Sequence, residues 1–399
     1  MLLPFGQRDA GARPMPAESQ AIAVVGNGPV GSAAALLLDR MGFAVTLVGP
    51  AGGQRDERTS ALLGGSVDFL ERLGLWADIA AAGAPLRTLR IVDATGRLIR
   101  APEVTFHASE VGRDAFGYNI PNAVLTGVLT RALDASGVLR RDALLQDLES
   151  GQDSVRLRLS EGEDIVARLV VAADGRKSPS RTAAGISTRE WTYDQAALVV
   201  NLAHSLAHDD VSTEFHTPDG PFTLVPLPGN HSSLVWVGKT DDMKARALLS
   251  DDDLAGEIER QSHLILGATS INAARQLFPL SGMTAAKLAA NRVLLAGEAA
   301  HVFPPIGAQG LNLGYRDVAS LERVLANAAS DPGGPETLHA YERARSADVL
   351  LRSAGVDMVN RTLLSAFLPA QGLRGLGLFL LDRVPPLRRT LMQQLLAPV

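Results

Sequence analysis

The patterned part of the chain begins with five apolar residues, Ala21 to Val25, that stop at Gly26. A short uninterrupted apolar run closed by glycine predicts a strand buried on both faces. Gly28 to Met41 follows with Ala and Leu at helical spacing, and Ala44 to Val48 is apolar again. Together they predict a βαβ unit and the start of a parallel sheet. Residues 60–80 read as two helices broken around Gly74, and 122–136 as a helix. Residues 154–173 read as a hairpin ending in the strand Leu169 to Ala173. The middle of the chain then changes period. Ala196 to Val200, Ser212 to His216, Phe222 to Leu227 and Ser232 to Val237 are short, partly alternating runs parted by Pro and Gly, which predicts antiparallel sheet. Helices return after residue 250, and a strand Val293 to Ala296 leads through Gly-rich sequence into a helix near Leu311. The first and last thirds therefore predict one α/β layer, with a sheet platform inserted into it.

Composition narrows the chemistry. At 46% hydrophobic over 399 residues the chain can bury a large core. With 38 basic against 43 acidic residues it has no global basic field to recruit nucleic acid. The absence of cysteine excludes disulfides, thiolate catalysis, Cys-ligated zinc and iron–sulfur clusters, and it fits a reducing compartment such as the cytoplasm. His204, His208, His216 and His231 lack metal-ligand spacing, so no metal is expected. No apolar run approaches the roughly 18–20 residues that span a bilayer. Residues 1–20, with Pro4, Pro14, Pro16 and mixed charges, read as a mobile leader rather than a signal segment. The expectation is a soluble protein, at most peripheral to a membrane surface.

Three motifs carry the chemistry. Gly26-Asn27-Gly28-Pro29-Val30-Gly31 is a GxGxxG between strand and helix. Gly26 permits the tight turn, Gly28 lets backbone approach a pyrophosphate, Gly31 lets helix pack on strand, and the helix N-terminus offers free N–H groups to phosphate. The second strand normally ends in an acidic residue that grips ribose, yet here Val48 is followed by Gly49 and Pro50. The second motif is Val171-Ala172-Ala173-Asp174-Gly175 with Ser178 and Arg181 beyond it, which by itself reads as no more than a turn. The third runs Gly297-Glu298-Ala299-Ala300-His301, Pro304-Pro305 and Gly307-Ala308-Gln309-Gly310-Leu311-Asn312-Leu313-Gly314. An acidic residue just past a strand can hold a polyol chain, and small residues let a flat ring lie on the main chain. The helix starting near Leu311 points its positive end at that ring.

In this order and spacing the motifs resemble those of the class A FAD-dependent aromatic monooxygenases, and within them the ubiquinone-biosynthesis hydroxylases that act on polyprenylphenols. The likeness is nearly full length. It includes Asp56-Glu57-Arg58-Thr59-Ser60-Ala61-Leu62, Leu73-Gly74-Leu75-Trp76, Pro218-Asp219-Gly220-Pro221, Pro226-Leu227-Pro228, Leu234-Val235-Trp236 and Pro385-Pro386-Leu387. The resemblance implies a Rossmann-like FAD-binding layer (21–84, 115–185 and 280–335) and an inserted, mostly antiparallel substrate sheet (85–114 and 186–279). Helices at 336–399 would follow. It implies FAD as cofactor, NAD(P)H as transient co-substrate, and hydroxylation of a small lipid-like phenol with O2 through a flavin C4a-hydroperoxide. Gly26, Gly28, Pro29, Val30, Gly31, Arg58, Asn122, Asp174, Gly175, Gly297, Glu298, Pro305, Gly310, Leu311 and Asn312 would contact FAD, Arg58 beside the pyrophosphate and Glu298 where the family has Asp on the ribityl chain. Pro304, Pro305 and Gly307 would lie beside the ring, and Phe222, Leu224 and Pro226 would line the substrate.

Several residues keep a second reading. Asn122 can equally be an N-cap, and Gln309 and Asn312 can cap a helix as well as border the flavin. His301 reads as a structural hydrogen-bonder rather than a base, and Trp76, Trp191 and Trp236 as core. In the tail, Leu376, Phe379, Leu380 and Val384 form an apolar face, while Arg374, Arg383, Arg388 and Arg389 outnumber Asp382. Such a segment can lie on an anionic membrane, bind a partner of a biosynthetic complex or a second copy, or pack on its own domain. A tailoring hydroxylase, an isoprenoid reductase and a non-catalytic scaffold on the same fold remain alternatives.

Overall fold

The computed structural model describes residues 21–51, 56, 58–96, 102–271, 273–304, 309–326, 328, 331–364 and 383–396. The first layer is the expected parallel sheet. Ala21–Val25 lies between Leu169–Ala172 and Ala44–Val48, with Val293–Leu295 beyond the former and Leu139–Arg141 beyond the latter. Only Ala289–Ala290, at the edge, runs antiparallel. Ile22, Ala23, Val24 and Val25 are all buried, so both faces of the central strand are covered. That is why its sequence is a continuous apolar run rather than an alternation. Helix Pro29–Arg40 starts with proline, whose missing N–H costs nothing at a helix start, and packs against Gln309–Leu325.

The second layer is a large, mostly antiparallel sheet, in which only Thr88–Asp93 and Val211–Thr217 pair in parallel. Among the described residues its order runs His301–Val302, Gln276–Ala285, Thr188–His204, His231–Lys239, Gly220–Leu227, Val211–Thr217, Thr88–Asp93, Val104–His107, and Thr269–Ile271 pairs with the end of Thr188–His204. The predicted run Ala196 to Val200 is the middle of this 17-residue strand. Polar residues such as Arg189 and Glu190 belong to it because Gln276–Ala285 continues the hydrogen-bond ladder past the apolar stretch. One face is closed by helices Thr240–Ala247 and Asp251–Gln261, whose Met243, Leu254 and Ile258 pack on Leu198, Phe222, Leu224, Leu234 and Trp236. The opposite face carries Ala197, Val237 and Leu280, with Val199, Thr223, Val225 and Val235 only half-buried.

One feature departs from expectation. The first of the two helices predicted over 60–80 begins as a strand, Thr59–Leu63, before Gly64–Arg72 and Trp76–Ala80. That strand pairs with Gly117–Pro121, which also takes up Ala84–Pro85, so a small separate sheet forms from segments too short to show a period. The C-terminal helices are Pro335–Leu364 and Pro385–Leu396. In the last helix Met392 and Leu396 pack on Val104, Phe106 and Phe116. Arg388 lies over the Phe106 ring at 4.6 Å and reaches Glu110 at 2.6 Å. Residues 385–396 thus pack on the chain's own domain, whereas Arg374, Leu376, Phe379, Leu380 and Asp382, like the leader 1–20, lie outside the described residues. No described helix is long and apolar enough to cross a membrane.

Candidate functional site

The three motifs meet at the carboxyl ends of adjacent parallel strands, where an open α/β sheet binds its ligands. Gly26 N–H bonds the Val48 carbonyl at 2.7 Å, Ala173 N–H that of Val25 at 2.7 Å, and Ala296 N–H that of Ala172 at 2.8 Å. The loops therefore start level with one another. Glycine lets them close in. Gly26 adopts φ +103°, and a Cβ there would strike the Ala173 carbonyl; a Cβ on Gly31 would strike the Gly26 carbonyl. Val30 is the knob that joins first motif to third: added Cβ atoms on Gly297 and Gly314 would meet its methyl groups at 3.2 and 2.6 Å. Arg181 joins second to third, since its guanidinium donates to the Ala299 carbonyl at 2.9 Å and to that of Arg176 at 2.8 Å.

What the assembly leaves open matters equally. A Cβ on Gly28, Gly175 or Gly310 would meet nothing within 4 Å. Gly28 precedes Pro29–Arg40, whose first turn has no side-chain cap and no acidic residue. An uncapped, unopposed helix start beside an open glycine fits a diphosphate. Gly49 finds its reason nearby. The Asn27 amide donates to the Pro50 carbonyl at 2.8 Å and lies where a Cβ on residue 49 would be, 2.6 Å away. A larger acidic side chain has no room there.

Arg58 stands half-exposed and pairs bidentately with Asp56, both contacts at 2.7 Å. Asp56 and then Glu298 raise the Arg58 pKa against the opposing effect of burial, so Arg58 and Glu298 face a common field. Asn122 does not cap its helix. It is the first residue of Asn122–Asp134 after Pro121, donates to Asp56 at 2.8 Å and accepts from Ser60 at 2.7 Å. Burial works against the charge of Asp56, but the bonds from Arg58 and Asn122 outweigh it and hold the pKa below the ordinary carboxylate value. In the second motif Asp174 accepts from the Ser178 hydroxyl and, at 3.0 Å, from Ser180 N–H. Both its oxygens shape the 174–180 loop.

The side chain of Asn312 is committed to a neighbouring segment and not to a helix cap. Buried between layers, it accepts from Leu63 N–H at 2.8 Å and Ser66 at 2.7 Å and donates to the Ala61 carbonyl at 2.7 Å. Its side chain clamps Thr59–Leu63 onto Gln309–Leu325. Leu311 is partly buried beside it, and Pro304 is buried; Pro305, Gly307 and Ala308 lie outside the described residues. The substrate assignment needs correction. Phe222 and Leu224 are 0% and 2% exposed within the helix-covered face, and Pro226 shares their parity. Arg58 lies over Phe278 on the other face, at 5.5 Å from the ring centroid. Register carries that face along the row Phe278, Ala197, Val237. Side chains alternate along a strand, so the residues turned toward the motifs are Thr223 and Val225 instead.

Sequence reasoning missed the buried anchor of the third motif. Asp317, 1% exposed, accepts from Gly297 N–H at 2.9 Å, His301 Nε2 at 2.7 Å and Arg345 Nε at 2.8 Å. His301 is thus a structural hydrogen-bonder, stacked on Phe303. Burial disfavours the Asp317 charge, but His301 and Arg345 overcome that and lower its pKa. A signal existed: Leu313, Asp317 and Leu321 share one helical stripe, as do Tyr341, Arg345 and Val349, and the flanking residues are all buried. Among the described residues no group of three His, Asp or Glu is placed to hold a metal.

Comparison with known proteins agrees with this geometry. Residues 19–351 match the family model described as FAD binding domain. The chain is similar to the ubiquinone hydroxylase UbiL of Rhodospirillum rubrum, 34% identical over 93% of this chain and 88% of that one. It is equally similar to the 3-demethoxyubiquinol 3-hydroxylase of Escherichia coli, 34% identical over 92% and 96%. In fold it resembles the p-nitrophenol 4-monooxygenase PnpA of Pseudomonas putida, with a TM-score of 0.77 at 19% identity, over 94% and 96% of the two chains. The Gly-lined strand ends, the uncapped helix start and these matches lead to one statement: the chain belongs to the FAD-binding domain family.

Proposed function

We propose that the chain is an FAD-dependent monooxygenase that uses NAD(P)H and O2 to hydroxylate the ring of a polyprenylated phenol in ubiquinone biosynthesis. The observation that carries this reading is the convergence of three glycine-lined loops beneath one half-buried face of a large sheet. In it, Gly28 and the first turn of Pro29–Arg40 hold the diphosphate, with Arg58 supplying a cation. Glu298, exposed into the same cleft, reaches the polyol chain. Asp174 and Gly175 shape the loop that serves flavin and passing nicotinamide alike. Helix Gln309–Leu325 directs its positive end at the ring, favouring negative charge there. Bound FAD supplies the redox chemistry that splits O2 and delivers one oxygen atom to the phenol. The sheet residues Val199, Thr223, Val225 and Val235 hold the substrate ring and keep water from it.

The division of labour belongs to the proposal: a flavin layer at 21–84, 115–185 and 280–335, and a substrate layer at 85–114 and 186–279. Contact with an anionic membrane surface belongs to it too, since Arg383, Val384 and Arg389 stay exposed while Met392 and Leu396 face inward. The test is direct. The purified protein should be yellow and should oxidise NAD(P)H faster with a 2-polyprenylphenol, releasing a product heavier by one oxygen. A colourless protein that FAD cannot reconstitute would overturn the reading. Reduction of the prenyl chain without ring oxidation would move it to an isoprenoid reductase.

A further inference from the structure

The sheet face turned toward the flavin motifs is apolar across its centre and becomes polar toward one side, where Glu214, His216 and Asp93 lie. Strand register builds it in rows. One row runs Gln276, Val199, Val235, Thr223, Glu214, Ile91; the next runs Phe278, Ala197, Val237, Pro221, His216, Asp93. Arg58 touches this face at Phe278, and the C-terminal helix covers its far end, where Leu89 and Ile91 join the cluster of Met392 and Leu396. Between those covers Val199, Val235, Thr223 and Glu214 remain half-buried, while Leu198, Phe222, Leu224 and Leu234 of the other parity are closed off.

Glu214 is built into place rather than left to solvent. One carboxylate oxygen takes His216 Nε2 at 2.9 Å and the other takes the Thr223 hydroxyl at 3.3 Å. His216 is itself buried, and a carboxylate partner fixes its proton on Nε2. Each oxygen keeps a lone pair to spare, and the side chain retains 24% exposure. At a strand spacing of about 4.8 Å, Glu214 lies some two strands, or about 10 Å, from Val235. A ring resting on Val199 and Val235 can therefore turn a hydroxyl toward Glu214 and run an apolar chain along Val225.

We propose that Glu214, held by His216 and Thr223, is the hydroxyl-recognition site of the substrate pocket: it accepts a hydrogen bond from the phenol O–H. The inference rests on the phenol reading above. A charged acceptor in a half-buried site discriminates strongly against a substrate that cannot donate, because the acceptor then stays desolvated and unpaired. His216 and Thr223 are positioning residues, since they act through Glu214.

The experiment compares full-length, FAD-loaded wild type with Glu214→Gln, Glu214→Leu and Thr223→Val. Affinities for a short-chain 2-prenylphenol and for its O-methyl ether are read from the perturbed flavin spectrum. Wild type should prefer the phenol at least about tenfold, equivalent to about 1.4 kcal/mol. Glu214→Gln should keep a smaller preference, because a neutral carbonyl accepts more weakly, and Glu214→Leu should lose it. Thr223→Val should fall between wild type and Glu214→Leu. Phenol and ether bound alike by wild type would overturn the proposal and leave the enzyme reading standing, as would a full preference surviving in Glu214→Gln and Thr223→Val should the leucine variant fail to fold. A yellow wild type that binds neither compound would instead sink the phenol reading, and this inference with it.

Discussion

The two large sheets of this molecule obey different rules. In the parallel sheet the central strand is buried on both faces, so parity carries no information, and function gathers in loops at the strand ends. In the antiparallel sheet one face is closed by helices and the other is half-open, so a shift of one residue moves a side chain from core to pocket. Glycine spacing therefore exposes the first site directly. The second yields only to register, which puts Phe222, Leu224 and Pro226 on the helix-covered face and not on the one that the resemblance implies.

The sharpest test of the flavin layer is its buried anchor. Asp317→Ala would leave buried His301 Nε2 and Gly297 N–H unpaired and strip buried Arg345 of one of its two carboxylates, leaving it Asp348 alone, a loss of about 3–5 kcal/mol. Denaturant unfolding of the apo-protein should show it, together with weakened FAD retention. A variant as stable as wild type would mean that the third motif needs no such support.

Parity in the substrate layer can be tested nearly as hard. Phe222→Ala should cost about 3–5 kcal/mol, as for a large core residue, while Val225→Ala should cost less than about 1.5 kcal/mol and show its effect in substrate affinity. Reversal of those two outcomes would turn the sheet over.

Gly28→Ala and Gly31→Ala separate space kept for a ligand from space filled by protein. The Gly31 variant collides with the Gly26 carbonyl and should destabilise apo-protein by about 1–3 kcal/mol. The Gly28 variant meets no protein atom and should keep apo stability within about 0.5 kcal/mol while losing FAD affinity. Equal FAD affinity in Gly28→Ala and wild type would remove the diphosphate from that position.

The smallest effect concerns acid. The Arg292 hydrogen bonds and charge, with help from Arg168, hold the Asp331 pKa below its ordinary 3.8, and His301 and Arg345 do the same for Asp317. Carboxylates depressed in the folded state add stability that is complete above about pH 4 and is lost as pH falls through their folded values. Stability curves between pH 5 and 2 should therefore decline below pH 4, and less steeply in Asp331→Asn.

Much of the molecule was legible along the chain. Ala21–Val25, Ala44–Val48 and the helix between them follow from local periodicity, and GxGxxG, Asp174-Gly175 and Gly297-Glu298 mark the loops after three strands, because tight turns and close backbone approach demand glycine wherever they occur. Tertiary structure decided the rest. Only packing shows that Val30 seats between Gly297 and Gly314, and that Asn27 occupies the room an acidic residue 49 would need. Only packing commits Asn312 to the 61–66 segment and closes Asp317, His301 and Arg345 into one buried set. These pairs stand tens to hundreds of residues apart, and no local period encodes which distant segment will lie opposite. The composition and order of the strands settled that a flavin fold forms; the register between them settled which residues look into it.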